Sequence, residues 1–236
     1  MTTYVLVTGA WHGGWCWKRV RDALVRQGHA VFTPTFTGLC ERSHLMSPDI
    51  DLETHIADII NLIRWEQLED VVLVGHSYGG CVISGVADRL TAKIKALVYL
   101  DAFVLKDGQS LHDTLPPEHR QAQLDRAAAS GNDWQVPPIP AAVFNVNEAD
   151  RAWVDAQCTP QPLASFQQKL TLVSAGVATD RIHYIFASGW EGTPFTAFYE
   201  AAKARGWRTR EIACGHDIML DQPEALSKAL LDVGAA

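Results

Sequence analysis

The chain has 236 residues, of which 47% are hydrophobic and 20% are charged, so it can bury a core of ordinary size and is not a disordered tail. The net charge of -7 and the lack of a basic stripe argue against a nucleic-acid groove, and no apolar run approaches the roughly 18 residues of a membrane-spanning helix. The first residues lack the basic start and apolar stretch of a signal peptide. Five widely spaced cysteines without a C-x-x-C pair indicate reduced thiols, so we expect a cytoplasmic protein.

Short apolar runs alternate with helix-like segments in the first hundred residues. The runs that predict strands are 4–7, 30–34, 71–75 and 94–100. The segments whose apolar residues have helical spacing are 17–27, 51–62 and 78–90. This order predicts a mostly parallel sheet with helices on both faces.

The alternation stops after about residue 103 and resumes at about residue 179. Between these points we predict helices over 117–129, 148–158 and 162–172, with an extended stretch over 136–140. Strand, helix, strand and helix then follow over 181–187, 194–205, 207–213 and 222–231. We therefore predict an α/β fold with a six-stranded sheet, a core formed by 1–103 and 179–236, and a helical cap formed by 104–178. Ligands of such sheets bind beyond the carboxyl ends of the strands, where we expect the cap to lie.

Gly75-His76-Ser77-Tyr78-Gly79 has the pattern G-x-S-x-G between a predicted strand and a predicted helix. In that context the small residues permit a tight turn, which presents the serine hydroxyl at the end of the strand. A helix N-terminus beside the serine favours developing negative charge. We interpret Ser77 as a nucleophile; the alternative is a glycine-rich turn with an incidental serine.

A serine hydroxyl needs a base to act as a nucleophile at neutral pH. Among nine histidines, His216 follows the last predicted strand and precedes the last helix, which suits a base. His76 is adjacent to Ser77, so its side chain points the wrong way, and we interpret the other histidines, such as His12, as solvated or core residues. No metal-ligand spacing such as H-E-x-x-H occurs, so neither a metal nor a cofactor is predicted.

An oxyanion formed by such a nucleophile needs two backbone N–H donors. We predict the N–H of Tyr78, which follows the nucleophile, and that of Ala10, which lies just past the first strand. The same glycine-rich loop after the first strand has the alternative interpretation of a phosphate loop. Trp15 and Cys16 stand where such a loop needs lysine and serine or threonine, which argues against it.

Together, the segments TYVLVTGAWHGGWCW, VVLVGHSYGG and ACGHDIML resemble the α/β-hydrolase superfamily. The nearest resemblance is to small esterases related to plant methyl salicylate esterases, hydroxynitrile lyases and bacterial pyrethroid hydrolases, and it covers nearly the whole chain. It implies the α/β-hydrolase fold and hydrolytic activity.

The third member of the triad departs from the pattern of that family. Trp190 stands about where an aspartate is expected, with Glu191 one step further on. Asp101, at the end of an apolar strand, is the alternative, since some members of the superfamily place their acid there. A buried carboxylate is costly unless it is paired, and a histidine partner would explain Asp101. We favour Asp101 and keep Glu191 as the fallback.

These residues predict a serine hydrolase that cleaves a hydrophobic carboxylic ester through an acyl-enzyme. We expect Trp11, Trp134, Phe144 and Trp153 to contact the substrate. A small hydrophobic ester is the expected partner, with neither nucleic acid nor membrane, and the oligomeric state stays open, a homodimer included.

Three alternatives use the same scaffold. Hydroxynitrile lyases of this group typically have threonine where this chain has Gly9 and lysine where it has Asp217, which argues against cyanide elimination. A cofactor-free oxygenase uses a histidine and an acid in the place of Asp101. The third alternative is a ligand-binding receptor that has lost catalysis.

Overall fold

A six-stranded parallel sheet forms the centre of the computed structural model. In chain order the strands are β1 (Thr3–Val7), β2 (Ala30–Phe32), β3 (Val71–Ser77), β4 (Ile94–Ala102), β5 (Gln135–Val136), β6 (Gln161–Pro162), β7 (Ile182–Ala187) and β8 (Arg208–Ile212). The sheet has the order β2-β1-β3-β4-β7-β8, and β5 pairs with β6 in a separate antiparallel ladder. The structure describes residues 1–174 and 176–235. Positions 175 and 236, in the predicted cap and core, lie outside the described residues.

Helices follow most of the strands. They are α1 (Lys18–Arg26), α2 (Leu52–Trp65), α3 (Gly79–Arg89), α4 (Leu111–Thr114), α5 (Pro117–Ala129), α6 (Glu148–Gln157), α7 (Ala164–Gln167), α8 (Thr196–Ala204), α9 (Ile218–Asp221) and α10 (Pro223–Ala235). α1 packs on α10 and α2 packs on α3, while α8 packs on β7 and β8. The predicted α/β fold with a six-stranded parallel sheet is thereby confirmed.

The inner strands are buried along their length. Every residue of Val71–Val74 in β3 is fully buried, as are Val5 and Leu6 in β1. Strands that are covered on both faces require continuous apolar runs rather than alternating ones. This requirement explains why the sequence predicts these two strands, which carry Ser77 and lead to Ala10.

The segment between β4 and β7 contains α4 to α7 and the β5–β6 ladder. The predicted helices over 117–129 and 148–158 correspond to α5 and α6. The helix predicted over 162–172 is wrong, since only Ala164–Gln167 is helical. Beyond α7, the N–H of Leu170 donates to the Gln109 carbonyl at 2.8 Å, and that of Val173 donates to the Asp88 carboxylate at 2.9 Å. These tertiary partners replace the helical hydrogen bonds.

Candidate active site

Ser77 ends β3 with a φ of 52°, in the left-handed region that is costly for a residue with a side chain. α3 begins two residues later, at Gly79. A Cβ atom at Gly79 would lie 2.5 Å from the carbonyl oxygen of Thr8, and one at Gly75 would lie 2.6 Å from the carbonyl oxygen of Gly79. The two glycines of G-x-S-x-G are therefore required by the close approach of neighbouring backbone, which holds Ser77 in its turn.

His216 lies in the loop between β8 and α9, where its backbone N–H donates to the Phe144 carbonyl at 2.9 Å. Its ring Nδ1–H donates to Oδ2 of Asp101 at 2.6 Å, and both side chains are buried. The other oxygen, Oδ1 of Asp101, accepts the N–H of Ala187 at 3.2 Å. This arrangement fixes the imidazole ring and leaves its Nε2 as the nitrogen that can accept a proton.

The charge state of this pair is set by burial. Burial lowers the pKa of His216 to about 4, against the charge of Asp217. Burial raises the pKa of Asp101 to about 7, against the hydrogen bond from the Ala187 N–H. The two groups titrate together, and above both values they are a carboxylate and a neutral imidazole. That is the form in which a histidine accepts a proton from a serine hydroxyl.

Aromatic rings surround the imidazole of His216. Phe195 stacks on it at 4.8 Å between ring centroids, Trp190 lies at 5.1 Å and Phe144 at 5.4 Å. Trp190, at the usual position of the family's acid, thus packs against the base. Glu191 is exposed to solvent, while Asp101 occupies the position beside Nδ1 that the fallback would require.

The two predicted oxyanion donors lie at the same edge of the sheet as Ser77. Ala10 follows β1, Tyr78 directly precedes α3, and both line one cavity with Ser77 and His216. The phenol oxygen of Tyr78 is 2.8 Å from Nδ1 of the buried His55. This contact holds the phenol of Tyr78 at His55.

Trp11, the residue after Ala10, binds the segment above the sheet at three points. Its backbone N–H donates to Oε1 of Gln161 at 3.2 Å, and its ring N–H donates to the Val136 carbonyl at 2.9 Å. Its own carbonyl accepts the N–H of Thr159 at 3.1 Å. With a φ of 66°, Trp11 adopts a costly left-handed conformation that these contacts hold in place.

The cavity has a volume of about 310 Å³ and is mainly apolar. Its large apolar lining residues are Trp11, Phe103, Leu111, Leu115, Ile139, Val143, Phe144, Phe166, Trp190 and Phe195. Ser77 and His216 are among its few polar groups. An apolar cavity with a few convergent polar groups is typical of a small-molecule site.

The four predicted substrate contacts fall into two pairs. Trp11 and Phe144 line the cavity, whereas Trp134 and Trp153 lie outside its lining. The Trp153 side chain is 38% exposed and packs edge-on against Trp15 at 4.9 Å. The expectation for Trp134 and Trp153 rested on aromatic content alone. Aromatic content does not indicate the direction in which a helix or loop presents a side chain. We leave both out of the site.

Sequence reasoning missed a polar strip on α5. His119, Ala122, Gln123 and Arg126 all line the cavity, and their spacing of three and four residues places them on one helix face. His119 and Ala122 are exposed, whereas Gln123 and Arg126 are half-buried. The helical spacing was available in the sequence, but nothing there indicated that this face meets Ser77.

His12 is a buried core residue, one of the two possibilities expected from the sequence, but sequence reasoning did not foresee its partner. His12 is 3% exposed, and its Nε2 is 3.3 Å from Oδ2 of the fully buried Asp217. Burial opposes the charged form, yet the charge of Asp217 and the nearby Cys158 raise the pKa of His12 well above its usual value. Burial likewise opposes ionisation of Asp217, but the charge and hydrogen bond of His12 lower the pKa of Asp217. The structure thus pairs two buried titratable groups, His12 and Asp217, beside the loop that carries Ala10.

Neither a metal centre nor a membrane helix emerges from the described ranges 1–174 and 176–235. Within them, no three His, Cys, Asp or Glu side chains are grouped to hold a metal ion. No helix there is both long and apolar enough to cross a membrane.

The sequence matches the profile of the alpha/beta hydrolase family over residues 4–229. The chain belongs to the α/β-hydrolase family. It is 46% identical over 242 residues to the "Carbendazim hydrolyzing esterase" of Nocardioides sp. (strain SG-4G), a match that covers 99% of this chain and 100% of the relative. It is 26% identical over 250 residues to the "Putative methylesterase 11, chloroplastic" of Arabidopsis thaliana, covering 98% of this chain and 63% of the relative. The resemblance to small esterases is thereby confirmed, and this α/β hydrolase is an enzyme of the carboxylesterase type.

Solved structures share the fold along the whole chain. An extracellular alpha/beta-hydrolase from a Paenibacillus species has a TM-score of 0.86 at 24% identity, with 100% of both chains covered. A pyrethroid hydrolase has a TM-score of 0.73 at 20% identity, covering 100% of this chain and 98% of the other. At these identities the likeness concerns the fold.

Proposed function

We propose that this α/β hydrolase cleaves small, apolar, preferably aromatic esters through an acyl-enzyme, with Ser77 as nucleophile, His216 as base and Asp101 as the orienting acid. The observation that carries the proposal is the 2.6 Å contact between His216 and Asp101 in the wall of the apolar cavity that Ser77 also lines. The strained turn at Ser77 supports the role of nucleophile.

In the first half of the reaction, Oγ of Ser77 attacks the ester carbonyl while Nε2 of His216 takes the hydroxyl proton. The backbone N–H groups of Ala10 and Tyr78 stabilise the negative oxygen of the tetrahedral intermediate. Asp101 holds the ring and stabilises the imidazolium. His216 then returns the proton to the departing alcohol as the carbon–oxygen bond breaks.

In the second half, His216 takes a proton from water, which attacks the acyl-enzyme carbonyl. Collapse of the second tetrahedral intermediate breaks the bond to Ser77, and His216 returns the proton to the serine oxygen. Atoms balance with ester and water alone, so the proposed reaction uses neither cofactor nor metal.

The size and lining of the cavity support a small aromatic substrate. A volume of about 310 Å³ lies at the lower end of ligand pockets, which span roughly 300–1,000 Å³. The relative from Nocardioides is named for carbendazim, a planar aromatic methyl carbamate. We propose that aromatic methyl esters and methyl carbamates fall within the range of this chain.

We also propose a cytoplasmic location. All five cysteines are free thiols: Cys16, Cys40, Cys81, Cys158 and Cys214. Proteins of oxidising compartments more often pair such residues as disulfides. The thiol content after isolation under native conditions, measured with a thiol reagent in denaturant, tests this proposal; stable disulfides would contradict it.

The central experiment compares the wild type with Ser77→Ala on a panel of methyl benzoates, p-nitrophenyl esters and carbendazim. We expect kcat/KM of the variant to fall by at least about a thousandfold, because loss of a triad nucleophile removes the covalent route. A fluorophosphonate should label the wild type at Ser77 and leave the variant unlabelled. Turnover by Ser77→Ala at the wild-type rate would favour cofactor-free chemistry, and an inert, unlabelled wild type would favour a ligand-binding receptor.

A further inference from the structure

The strip on α5 holds the one arginine of the cavity lining. Arg126 is half-buried, and its Nη2 donates to the Pro137 carbonyl. Within residues 1–174 and 176–235, this is the one hydrogen bond of its side chain, and no carboxylate pairs with it. Burial lowers the pKa of Arg126, and an arginine stays charged at any pH at which the protein is folded. The guanidinium therefore brings an uncompensated charge and unused N–H donors to an apolar cavity.

The charge and the reacting groups are carried by different elements of the cavity lining. Ser77 and His216 lie at the strand ends that form the floor, where His216 is 3% exposed. α5 lines the mouth, because its neighbours on the same face, His119 and Ala122, are exposed. A substrate whose ester reaches Ser77 therefore presents its opposite end to α5.

We propose that Arg126 binds a hydrogen-bond acceptor at the end of the substrate opposite the scissile ester. The acceptor is a carboxylate or a carbonyl oxygen, which matches the forked donors of a guanidinium. Gln123 lies one turn away on the same face, with its Oε1 2.7 Å from Nε2 of His112, and so remains a smaller polar contributor. This inference rests on the proposed ester hydrolysis and narrows its substrate class from apolar aromatic esters to those with a distal acceptor.

Three methyl esters of the same shape test the subsite: monomethyl terephthalate, methyl 4-carbamoylbenzoate and methyl 4-methylbenzoate. They carry an anionic acceptor, a neutral acceptor and none. We expect the wild type to prefer the better acceptor ester over the 4-methyl ester by roughly tenfold or more in kcat/KM. Arg126→Met should remove most of that preference, because methionine fills a similar volume but supplies no N–H donors. Arg126→Lys should restore part of it for the anionic ester.

Arg120→Met provides the matched control, because Arg120 lies on the same helix but outside the cavity lining. It should keep the wild-type preference. A preference for the carboxylate over the amide identifies an anionic ligand, and equal rates identify a carbonyl ligand. An unchanged preference in Arg126→Met, or an equal loss on all three esters, overturns the subsite while ester hydrolysis stands. If the wild type hydrolyses none of the three and Ser77 resists a fluorophosphonate, both proposals fail together.

A second inference concerns the pair of His12 and Asp217 and follows from different contacts. The Nδ1 of His12 lies 2.8 Å from the Ala10 carbonyl oxygen, and its Nε2 lies 3.3 Å from Oδ2 of Asp217. The Ala10 carbonyl only accepts hydrogen bonds, and so does Asp217 in its carboxylate form, which the neighbouring His12 favours by lowering the pKa of Asp217. A neutral imidazole has one N–H and one lone pair, so only the doubly protonated ring satisfies both contacts.

The environment of Asp217 leads to the same charge state. Its Oδ1 is buried without a hydrogen bond among the described residues, and it lies 3.8 Å from Nε2 of His76. That nitrogen of His76 donates to the His216 carbonyl at 3.0 Å, and burial lowers the pKa of His76 to about 3. His12 is therefore the cation available to compensate the Asp217 carboxylate. The titratable groups around His12 are Asp217, Cys158, Cys16, Cys40, His76 and His216.

We infer that His12 is an imidazolium that acts as a positioning residue: it holds the carbonyl of the Ala10–Trp11 peptide, which fixes the backbone of Ala10 so that the adjacent Ala10 N–H stays directed at the oxyanion. His12 touches no reacting atom. His12 acts through the Ala10 carbonyl. This second inference therefore rests on the proposed role of Ala10 as an oxyanion donor.

Nitrogen NMR of the wild type with ¹⁵N-labelled histidine tests the charge, with His12→Gln to assign the signal. We expect both ring nitrogens of His12 to be protonated at pH 8, where an ordinary histidine is neutral. Asp217→Asn, which keeps the shape, should return His12 to one neutral tautomer. A neutral His12 in the wild type at pH 8 overturns the inference.

Kinetics test the positioning. His12→Gln should lower kcat roughly tenfold or more with KM within about threefold, and the affinity for a trifluoromethyl ketone, which forms an oxyanion adduct with Ser77, should fall in parallel. His44→Gln, at an exposed histidine, is the control and should change neither. If His12→Gln does not fold, Asp217→Asn carries the same expectation. Unchanged ketone affinity in a folded variant contradicts positioning, whereas retained fluorophosphonate labelling of Ser77 shows that the proposed function itself stands.

Discussion

The floor and the mouth of the cavity differ in how deeply their side chains are buried and in how many specific partners those side chains have. The floor, formed by the ends of β1, β3 and β4 and the loop after β8, places Asp101, His216 and Asp217 at 0–3% exposure with specific partners. The mouth, formed largely by α5, consists of exposed or half-buried side chains with few partners. A substitution at the floor therefore leaves a buried charge or donor unpaired, whereas one at the mouth changes mainly what is bound. We therefore expect substitutions at the floor to lower kcat, and substitutions at the mouth to change the choice of substrate.

The largest effect is expected at the acid of the floor. Asp101→Asn should lower kcat by roughly three to four orders of magnitude, because an amide no longer holds His216 in the tautomer that accepts a proton. Glu191→Gln, at an exposed position, should stay within about twofold. Steady-state kinetics on a p-nitrophenyl ester measure both. If Glu191→Gln were the damaging substitution, the acid would lie at the surface and the contrast between floor and mouth would fail.

The next effect is expected at the turn below Ser77. Gly79→Ala would bring a methyl group 2.5 Å from the Thr8 carbonyl oxygen, and such overpacking costs about 1–3 kcal/mol. We expect this loss in chemical denaturation together with a fall in kcat, since the turn must move. Gly131→Ala supplies the comparison: a φ of 77° suits glycine but is strained for alanine, and nothing lies within 4 Å of the added methyl. Gly131→Ala should lower the free energy of unfolding by about 1–2 kcal/mol and leave kcat unchanged. A fall in kcat in this variant would contradict the explanation that the effect of Gly79→Ala is local to the turn.

The pH profile should report the coupled pair of the floor. As pH falls, the pair of Asp101 and His216 takes up one proton and loses the base. We therefore expect kcat/KM on a neutral ester to decline on the acid side, with an apparent pKa between about 4 and about 7 that belongs to the pair. If kcat/KM of Asp101→Asn declined at the same pH as that of the wild type, another group would control the rate.

The smallest effects are expected above the sheet. Phe144→Ala removes a ring that lines the cavity and should raise KM by roughly tenfold for an aromatic ester, the value of one lost apolar contact of this size. Trp153→Ala, whose ring lies outside the lining, should leave KM within about twofold. A KM effect of Trp153→Ala as large as that of Phe144→Ala would restore Trp153 to the substrate site.

Much of the floor could be predicted from sequence because its signals are local. An apolar run followed by G-x-S-x-G predicts a buried strand and a strained turn at Ser77, and a carboxylate in an apolar strand indicates that Asp101 needs a partner. Contacts between distant segments left no such signal. The pairing of His12 with Asp217 joins residues 205 positions apart, and His12 looked like any other histidine.

The segment between β4 and β7 was the hardest part to predict, for a related reason. Its helices α5 and α6 follow from local spacing, but the face that each presents depends on how the segment sits on the sheet. Trp153 was therefore expected at the substrate and Arg126 was overlooked. The prediction of a helix over 162–172 was wrong because the N–H groups of Leu170 and Val173 donate to other segments. Residue propensities do not indicate such tertiary hydrogen bonds.

Three hydrogen bonds of Trp11 connect the loop beside Ala10 to the segment between β4 and β7. The residue that follows Ala10 is fastened to Gln161, Val136 and Thr159, all of which belong to the segment that roofs the cavity. Because these bonds hold Trp11 in its left-handed backbone conformation, a displacement of that segment would also displace the neighbouring Ala10. The position of the predicted oxyanion donor Ala10 therefore depends on how the segment between β4 and β7 packs on the first loop.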